Sequence, residues 1–267
     1  MNELITKPGT QHPGLLTAPL VQYALHLADD ALILGHRNSE WTGHGPILEQ
    51  DIALSNISLD LIGQARNFYQ YAASVMNDGS TEDTLAYLRD AGEFRNCLLV
   101  EQPNGDWGKT VLRQFLFSAY QYYLYQQLQH ASDKTIGSIA EKGLKEAAYH
   151  LRWSSEWVIR LGDGTNESHT RMQQSLAELW KYTNELVSLS SYEKELANSW
   201  LQVDLTVMRS DWKEKVFSVF QEATILPPAV DNINQDKHGK EGFHTDHLRQ
   251  LLDEMQYMQR KYPGCDW

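Results

Sequence analysis

Residues 47–76 read ILEQDIALSNISLDLIGQARNFYQYAASVM, and this stretch decides the fold. We predict one long helix over it, ended by the turn NDGS at residues 77–80, because these residue types favour turns. A helix of this length needs other long helices to cover its apolar face, and a bundle provides them.

Three more long helices are predicted, over residues 20–40, 109–131 and 136–161. In the first of them, apolar residues recur at the three- and four-residue intervals of one helix face, at Leu20, Tyr23, Ala24, Leu27, Ala31 and Leu34. Shorter helices are predicted over residues 81–91, 170–188, 209–223 and 245–261. Strand signals are nearly absent, because apolar and polar residues never alternate for long and β-branched residues do not cluster.

The connection between the second and third long helices indicates the kind of bundle. It holds a turn, a short helix and the loop EQPNGD at residues 101–106. A ferritin-like bundle needs one long crossover here, which brings the second helix pair back antiparallel to the first. We therefore predict an all-α fold, a ferritin-like four-helix bundle with additional C-terminal helices.

The N-terminal segment differs from the rest of the chain. Residues 1–18 contain Pro8, Gly9, Pro13 and Gly14, which block regular structure, and show little periodicity. We predict a flexible leader over residues 1–18 and a single ferritin-like helical domain over residues 19–267.

Composition excludes several classes of protein. The chain has 267 residues and a formal charge of −12, and its 23 basic residues form no run, so nucleic acid and anionic membranes are poor partners. The two cysteines, Cys97 and Cys265, form no short metal-binding pair. No signal-peptide pattern and no apolar stretch of about 18 residues is visible, so we expect a cytoplasmic protein.

A carboxylate-bridged two-metal centre is the chemistry that such a bundle can carry. It takes one Glu from each of two helices and a Glu-x-x-His pair from each of the other two, because two irons need several anionic oxygens. In the second helix the only central acid is Asp60, and Gly63 stands where a histidine ligand would be. In the fourth helix Glu146 is followed by Tyr149 at the histidine position and by His150 one residue later.

The third helix argues most strongly against such a centre, because residues 111–130 contain no Asp or Glu. The first helix offers Asp29, Asp30 and Glu40. At most three of the six expected ligands are therefore plausible. We predict no catalytic, cofactor-binding or metal residues in this chain, and a degenerate site at Asp60, Gly63, Glu146, Tyr149 and His150.

Three roles remain open for Asp60, Glu146 and His150. They could be ordinary surface residues, or they could serve a weak single-metal or catalytic site. We favour a buried hydrogen-bonded cluster with Arg37, Gln64 or Arg66, because a buried charge must be paired.

Two other patterns carry weaker hypotheses. His244 and His247 are one turn apart and could be metal ligands, although Thr245 between them is a natural N-cap for the last helix. The aromatic run Tyr120, Tyr122, Tyr123 and Tyr125 suits core packing or contact with a partner helix.

Several motifs spread over residues 20–267 carry a family resemblance. They are ADDAL at 28–32, LG at 34–35, GHGP at 43–46, DIAL at 51–54, NI at 56–57, LDLIGQARNF at 59–68, LVEQPNG at 99–105, KE at 145–146, YHLR at 149–152, LG at 161–162, GT at 164–165, HT at 244–245, HL at 247–248 and EMQY at 254–257. Together they resemble the non-catalytic, ferritin-like structural subunit of the ring-1,2-phenylacetyl-CoA epoxidase family.

The resemblance implies a structural subunit of a multicomponent bacterial monooxygenase that epoxidises the ring of phenylacetyl-CoA in aerobic phenylacetate catabolism. It implies a homologous catalytic subunit that holds di-iron, a small bridging subunit, and a reductase with FAD and iron–sulfur that draws electrons from NADPH. It is also compatible with a homodimer of the isolated chain. Two alternatives stay open: a homodimeric helical adapter outside any oxygenase, and a self-sufficient di-iron oxidase.

Overall fold

A computed structural model describes residues 17–197, 203–228 and 238–265 of the chain. These residues form helices and connecting loops, with no β-strand among them. In chain order the helices are α1 (Thr17–Ser39), α2 (Leu48–Met76), α3 (Glu82–Tyr87), α4 (Leu98–Glu101), α5 (Trp107–Leu128), α6 (Lys134–Gly162), α7 (Asn166–Leu179), α8 (Thr183–Leu186), α9 (Ser191–Ala197), α10 (Leu205–Glu222), α11 (Asp246–Met255) and α12 (Tyr257–Lys261). The all-α ferritin-like prediction is confirmed.

Capping residues mark several ends of the long helices. Asp106 caps α5 by accepting a hydrogen bond from the Lys109 N–H at 2.9 Å, and Asp133 caps α6 in the same way. Asn77 ends α2 in the left-handed conformation, with a φ of 50°. The turn predicted at residues 77–80 is therefore present.

The bundle consists of two antiparallel hairpins. Helix α1 packs along α2, and α5 packs along α6. Between the hairpins, α3 and α4 lie in the long crossover that the sequence predicts. Helices α2 and α6 meet antiparallel, because the side chain of Gln64 reaches Glu146 while that of Gln50, earlier in α2, reaches Trp157 later in α6.

Helix α5 lies at the centre of the molecule. Helices α6, α7 and α10 all pack against it, and most of its side chains are buried. The Trp212 indole on α10 donates a hydrogen bond to the Leu116 carbonyl at 3.1 Å, which fixes α10 to this helix. Any polar side chain on the inner face of α5 is therefore inside the bundle.

Several boundaries differ from the predictions. Helix α1 begins at Thr17, inside the predicted leader, whose residues 1–16 lie outside the described part of the chain. The helix predicted over 170–188 is broken by a 3₁₀ turn at Trp180–Tyr182, where the Trp180 ring stacks on Trp212 at 6.1 Å. The last predicted helix breaks at Gln256, whose side chain turns inward and donates to the Ala86 and Arg89 carbonyls. Helix α9 was not predicted.

Within the described residues, none of the helices is both long and apolar enough to cross a membrane.

Candidate functional site

A cluster of amide side chains lies in the bundle interior where three long helices meet. The Gln121 Nε2 of α5 donates to the Gln64 Oε1 of α2 at 2.9 Å, and the Tyr125 hydroxyl donates to the same oxygen at 3.1 Å. Gln64 in turn donates through Nε2 to the Glu146 carboxylate of α6 at 2.7 Å. We call Gln64, Gln121, Tyr125 and Glu146 the amide cluster.

The amide cluster has the wrong chemistry for two irons. Gln64 and Gln121 are buried and neutral, and Glu146 is its only carboxylate. The Tyr125 ring fills the space beside Gly143, where an added Cβ would lie 2.8 Å from a ring carbon. These donors do not fit the set of anionic oxygens and imidazoles that a di-iron centre requires.

A second polar pair joins the same two helices one turn away. The His150 Nε2 of α6 lies 3.0 Å from the Asp60 Oδ2 of α2. The His150 ring is fully buried, whereas the Asp60 side chain is 36% exposed. The His150 Nδ1 atom has no hydrogen-bond partner among the described residues.

The other two positions of the predicted degenerate site lie elsewhere. Gly63 and Tyr149 are both exposed. The positions three residues after Asp60 and Glu146, where histidine ligands would be, therefore lie outside the inner face. The structure thus brings Asp60 to His150 and Glu146 to Gln64, and it leaves Gly63 and Tyr149 at the surface.

Only one of the three predicted cluster partners contacts these residues. Gln64 binds Glu146, but Arg66 is exposed and pairs with Glu82 at 3.3 Å. Arg37 pairs with Glu40 at 2.8 Å and donates to the carbonyls of Glu101 and His247. Of the three alternative partners, the structure therefore brings Gln64 to Glu146, whereas Arg37 and Arg66 bind elsewhere.

The acids of α1 do point inward. Asp29 is fully buried, pairs with Arg89, and accepts hydrogen bonds from the Tyr69 hydroxyl at 2.5 Å and the Arg95 N–H at 2.7 Å. The Arg89 guanidinium also lies over the Phe94 ring, 4.2 Å from its centre. Sequence reasoning identified Asp29 but not Arg89, because 60 residues separate them.

Asp30 belongs to a separate buried group with His26 and Cys97. Their potential ligand atoms lie within 4.8 Å of one another, and no other group of three such residues is found in the described part of the chain. The His26 Nδ1 is 2.9 Å from the Arg95 carbonyl, and Asp30 accepts the Cys97 N–H at 2.7 Å. Sequence reasoning missed Cys97 as a neighbour of Asp30, since no local pattern links the two.

Burial controls the protonation of this group. It lowers the pKa of His26 to about 4, with a contribution from the Lys240 charge. It raises the pKa of Asp30 and of the Cys97 thiol well above their usual values. Metal ligation needs a deprotonated thiol and carboxylate, so the neutral hydrogen-bonded form is the one that burial favours.

Buried charges hold the C-terminal segments against the crossover. The Lys240 ammonium lies 3.3 Å from Glu193 and donates to the Ser188 carbonyl at 3.0 Å. Ser190 also donates to the Glu193 carboxylate, through its backbone N–H at 2.8 Å and its hydroxyl at 2.9 Å. Glu185 accepts the Leu98 N–H at 2.8 Å, which ties α8 to α4.

The predicted histidine pair of the last helix has a structural explanation. The His244 Nδ1 lies 2.8 Å from the Glu101 carboxylate, and its Nε2 lies 3.0 Å from the Phe94 carbonyl. Although burial opposes the charge, these hydrogen bonds and the Glu101 charge raise the pKa of His244. Thr245 caps α11 through the His247 N–H at 3.3 Å, as predicted.

The aromatic run of α5 divides between two environments. Tyr120 and Tyr125 are buried, whereas Tyr122 and Tyr123 are half-buried and line a groove beside α6 and α10. Core packing therefore accounts for the first two side chains.

Comparisons with known proteins agree with the fold. The family model described as phenylacetic acid catabolic protein matches residues 1–267. The chain is 44% identical over 248 residues to a subunit of the 1,2-phenylacetyl-CoA epoxidase of Escherichia coli (strain K12). That match covers 93% of this chain and 99% of the relative.

Proposed function

The chain belongs to the phenylacetic acid catabolic protein family, and from this premise we propose that it is a structural, non-catalytic subunit of a multicomponent di-iron monooxygenase. The reaction is epoxidation of the phenylacetyl-CoA ring in aerobic phenylacetate catabolism. The relative's name supports this reaction, because the identity extends over almost the whole of both chains. The chain pairs with a homologous catalytic subunit and supports it.

The observation that carries the non-catalytic role is the amide cluster. At this level of the bundle α5 contributes Gln121, which meets another amide, Gln64, rather than a carboxylate. A pair of irons bound here would lack anionic oxygens from both helices, and the amides cannot supply the missing charge. The buried acids of α1 are already used, since Asp29 pairs with Arg89 and Asp30 holds the Cys97 N–H.

The proposal assigns the redox groups to other subunits. The di-iron centre belongs to the homologous catalytic subunit, and FAD and iron–sulfur with NADPH belong to the reductase. A small subunit bridges the larger ones. This chain contributes a rigid bundle whose interior is held by hydrogen bonds and buried ion pairs.

Reconstitution tests the proposal. The chain is co-expressed with the homologous subunit, and iron content, complex mass and epoxide formation from phenylacetyl-CoA with reductase and NADPH are measured. We expect the two chains to co-purify, iron to follow the homologous subunit, and turnover to require both. Glu146→Ala in this chain should leave the iron content of the complex unchanged, and Glu141→Ala, an exposed position on the same helix, is its matched control.

Two results would contradict the proposal. Epoxidation by this chain with reductase alone, abolished by Glu146→Ala, would indicate a self-sufficient oxidase. Failure of the chain to bind the homologous subunit, with normal folding of both, would favour the adapter hypothesis.

A further inference from the structure

Both ring nitrogens of His244 face oxygen atoms that accept hydrogen bonds. Its Nδ1 lies 2.8 Å from the Glu101 carboxylate, and its Nε2 lies 3.0 Å from the Phe94 carbonyl. A neutral imidazole has one N–H, so its other nitrogen would hold a lone pair against an oxygen. The imidazolium has two N–H groups and satisfies both partners. The hydrogen bonds at this site are therefore complete only when His244 carries its second proton.

The buried His26 shows the contrast. Its Nδ1 lies 2.9 Å from the Arg95 carbonyl, but its Nε2 faces the Tyr120 hydroxyl at 3.4 Å, which can donate as well as accept. A neutral ring satisfies both of these partners. Two buried histidines of one chain thus differ in the proton state that their surroundings require, because their partners differ.

His244 lies where the C-terminal segment meets the crossover. The fully buried Glu101 carboxylate also accepts the Thr245 N–H at 2.7 Å and the Asn96 side-chain amide at 3.0 Å. Among the described residues, His244 is the one ion-pair partner of Glu101. We call His244, Thr245, Glu101, Asn96 and the Phe94 carbonyl the latch. Loss of the His244 proton leaves a buried carboxylate without its cation, which is costly.

The other charges around the latch do not replace this proton. Asp29 of α1 is paired with Arg89, and the guanidinium groups of Arg37 and Arg95 donate to backbone carbonyls at the latch. Arginine stays charged throughout the neutral and mildly alkaline range. Three further ionisable side chains lie nearby on the C-terminal segment itself: Asp246, His247 and Arg249. Of these only His247 also titrates near neutral pH, so it serves below as a control.

The segments on either side of the latch are anchored in other ways. Before it, the buried Lys240 pairs with Glu193, and after it Leu248 and its neighbours on α11 are buried. The stretch between these anchors has little apolar contact, since Phe243 is 51% exposed. A groove of about 390 Å³ lies between residues 242–246 and the turn at residues 91–92, and a second of about 370 Å³ continues along α11. This stretch therefore depends on the latch for its position.

From this arrangement we propose that the latch is controlled by a proton. Protonated His244 holds residues 243–247 on the crossover, and loss of its proton releases them, while Lys240 and the leucines of α11 keep the flanking segments in place. Burial opposes the charge of His244, but the Glu101 hydrogen bond and charge and the Phe94 carbonyl raise its pKa. The latch is thus closed at low pH and opens as the pH rises through the folded pKa. This inference does not depend on the oxygenase role.

Amide hydrogen exchange of the purified chain, followed by mass spectrometry between pH 6 and 9, tests the latch. Each rate is compared with the intrinsic rate at the same pH, which gives a protection factor for local opening. We expect protection of residues 243–248 to fall at least about tenfold across this range, because proton loss leaves buried acceptors unsatisfied. Peptides from α10 (Leu205–Glu222) should keep their protection.

Two variants and one spectroscopic measurement assign the effect. His244→Gln should remove the pH dependence of protection, whereas His247→Gln, on the first turn of α11, should retain it. The ¹⁵N shifts of the His244 ring report its proton state, and the opening should follow the same titration curve. A neutral His244 ring at pH 6, or protection that does not change with pH, overturns the proposal, and both results need only the native chain. Retained pH dependence in His244→Gln, or an equal loss of protection in α10, overturns it as well.

Discussion

Gln64 on α2 donates a hydrogen bond to the carboxylate of Glu146 on α6 across 2.7 Å, and this bond joins the two hairpins of the bundle. Gln64 is buried while Glu146 is half-buried, so the bond lies between the interior and the surface. Gln64 also accepts from Gln121 and Tyr125, which makes it the centre of the amide cluster.

Removal of the Glu146 carboxylate should therefore destabilise the fold modestly. Glu146→Ala leaves the buried Gln64 amide without its acceptor, at a cost of about 1–2 kcal/mol in the free energy of unfolding. Urea unfolding of this variant beside Glu141→Ala, which removes an exposed carboxylate from the same helix, measures the effect. Equal stability of Glu146→Ala and the native chain would show that the bond does not contribute.

A carboxylate placed in the amide cluster should lower the free energy of unfolding. Gln121→Glu buries a new acid among amides, and burial raises the pKa of such a group. The folded chain then binds the proton of this carboxyl group more tightly than the unfolded chain does. The variant therefore loses stability as the pH rises above about 4.3, the pKa of an unperturbed Glu. We expect a loss of about 2–4 kcal/mol at neutral pH. Thermal unfolding between pH 5 and 8 measures this, with Gln121→Met as the uncharged control. If added ferrous iron restored the stability of Gln121→Glu at neutral pH, the cluster would retain metal-binding capacity.

The long helices could be predicted because their evidence is local. Three- and four-residue spacing indicates the bundle helices, and the absence of acids from residues 111–130 predicts that α5 offers no carboxylate to the interior. Thr245 is a further local success, since an N-cap acts within one turn.

The sequence did not identify which polar side chain of α2 lies at the centre of the bundle. The sequence indicates Asp60 as a position of the degenerate site, but the side chain at the centre of the bundle is Gln64, one turn later. Asp60 is at the edge of the buried face, and periodicity alone does not say on which side of that edge a polar residue lies. The Asp29–Arg89 and Lys240–Glu193 pairs join distant segments, so no local pattern reveals them.

His26 should limit stability in acid. Burial, with the nearby Lys240 charge, lowers its pKa to about 4, so the folded chain binds the proton less tightly than the unfolded chain. Its neutral form contributes full stability above pH about 6.5, and about 3 kcal/mol is lost as the pH falls towards 4. His26→Gln should flatten this part of the curve of unfolding free energy against pH. The same substitution at the exposed His130 should leave the curve unchanged, and an equal effect of both would contradict the assignment.

His244 should act in the opposite direction. Its pKa is raised by the hydrogen bond and charge of Glu101 and by the Phe94 carbonyl, against the effect of burial. The stabilisation is therefore complete below the unfolded pKa of about 6.5 and is lost as the pH rises through the higher folded value. His244→Gln should remove this alkaline decline, measured by urea unfolding from pH 6 to 9. An unchanged decline in the variant would assign it to other groups.

The Lys240–Glu193 pair should be strongly coupled, because both partners are buried. Their atoms are 3.3 Å apart. Burial opposes the charge of Glu193, but the Lys240 and His26 charges and the Ser190 hydrogen bonds together lower its pKa. Lys240→Met leaves Glu193 buried without its cation and should cost about 3–5 kcal/mol, whereas the double variant Lys240→Met/Glu193→Gln should be more stable than Lys240→Met. A double-mutant cycle from urea unfolding measures the coupling, and the exposed Arg171–Glu167 pair is the control, for which we expect less than about 1 kcal/mol. Additive losses at Lys240 and Glu193 would contradict a direct pair. Coupling larger than that of the control would show that this ion pair holds the segments around residues 188–193 and 240 onto the bundle.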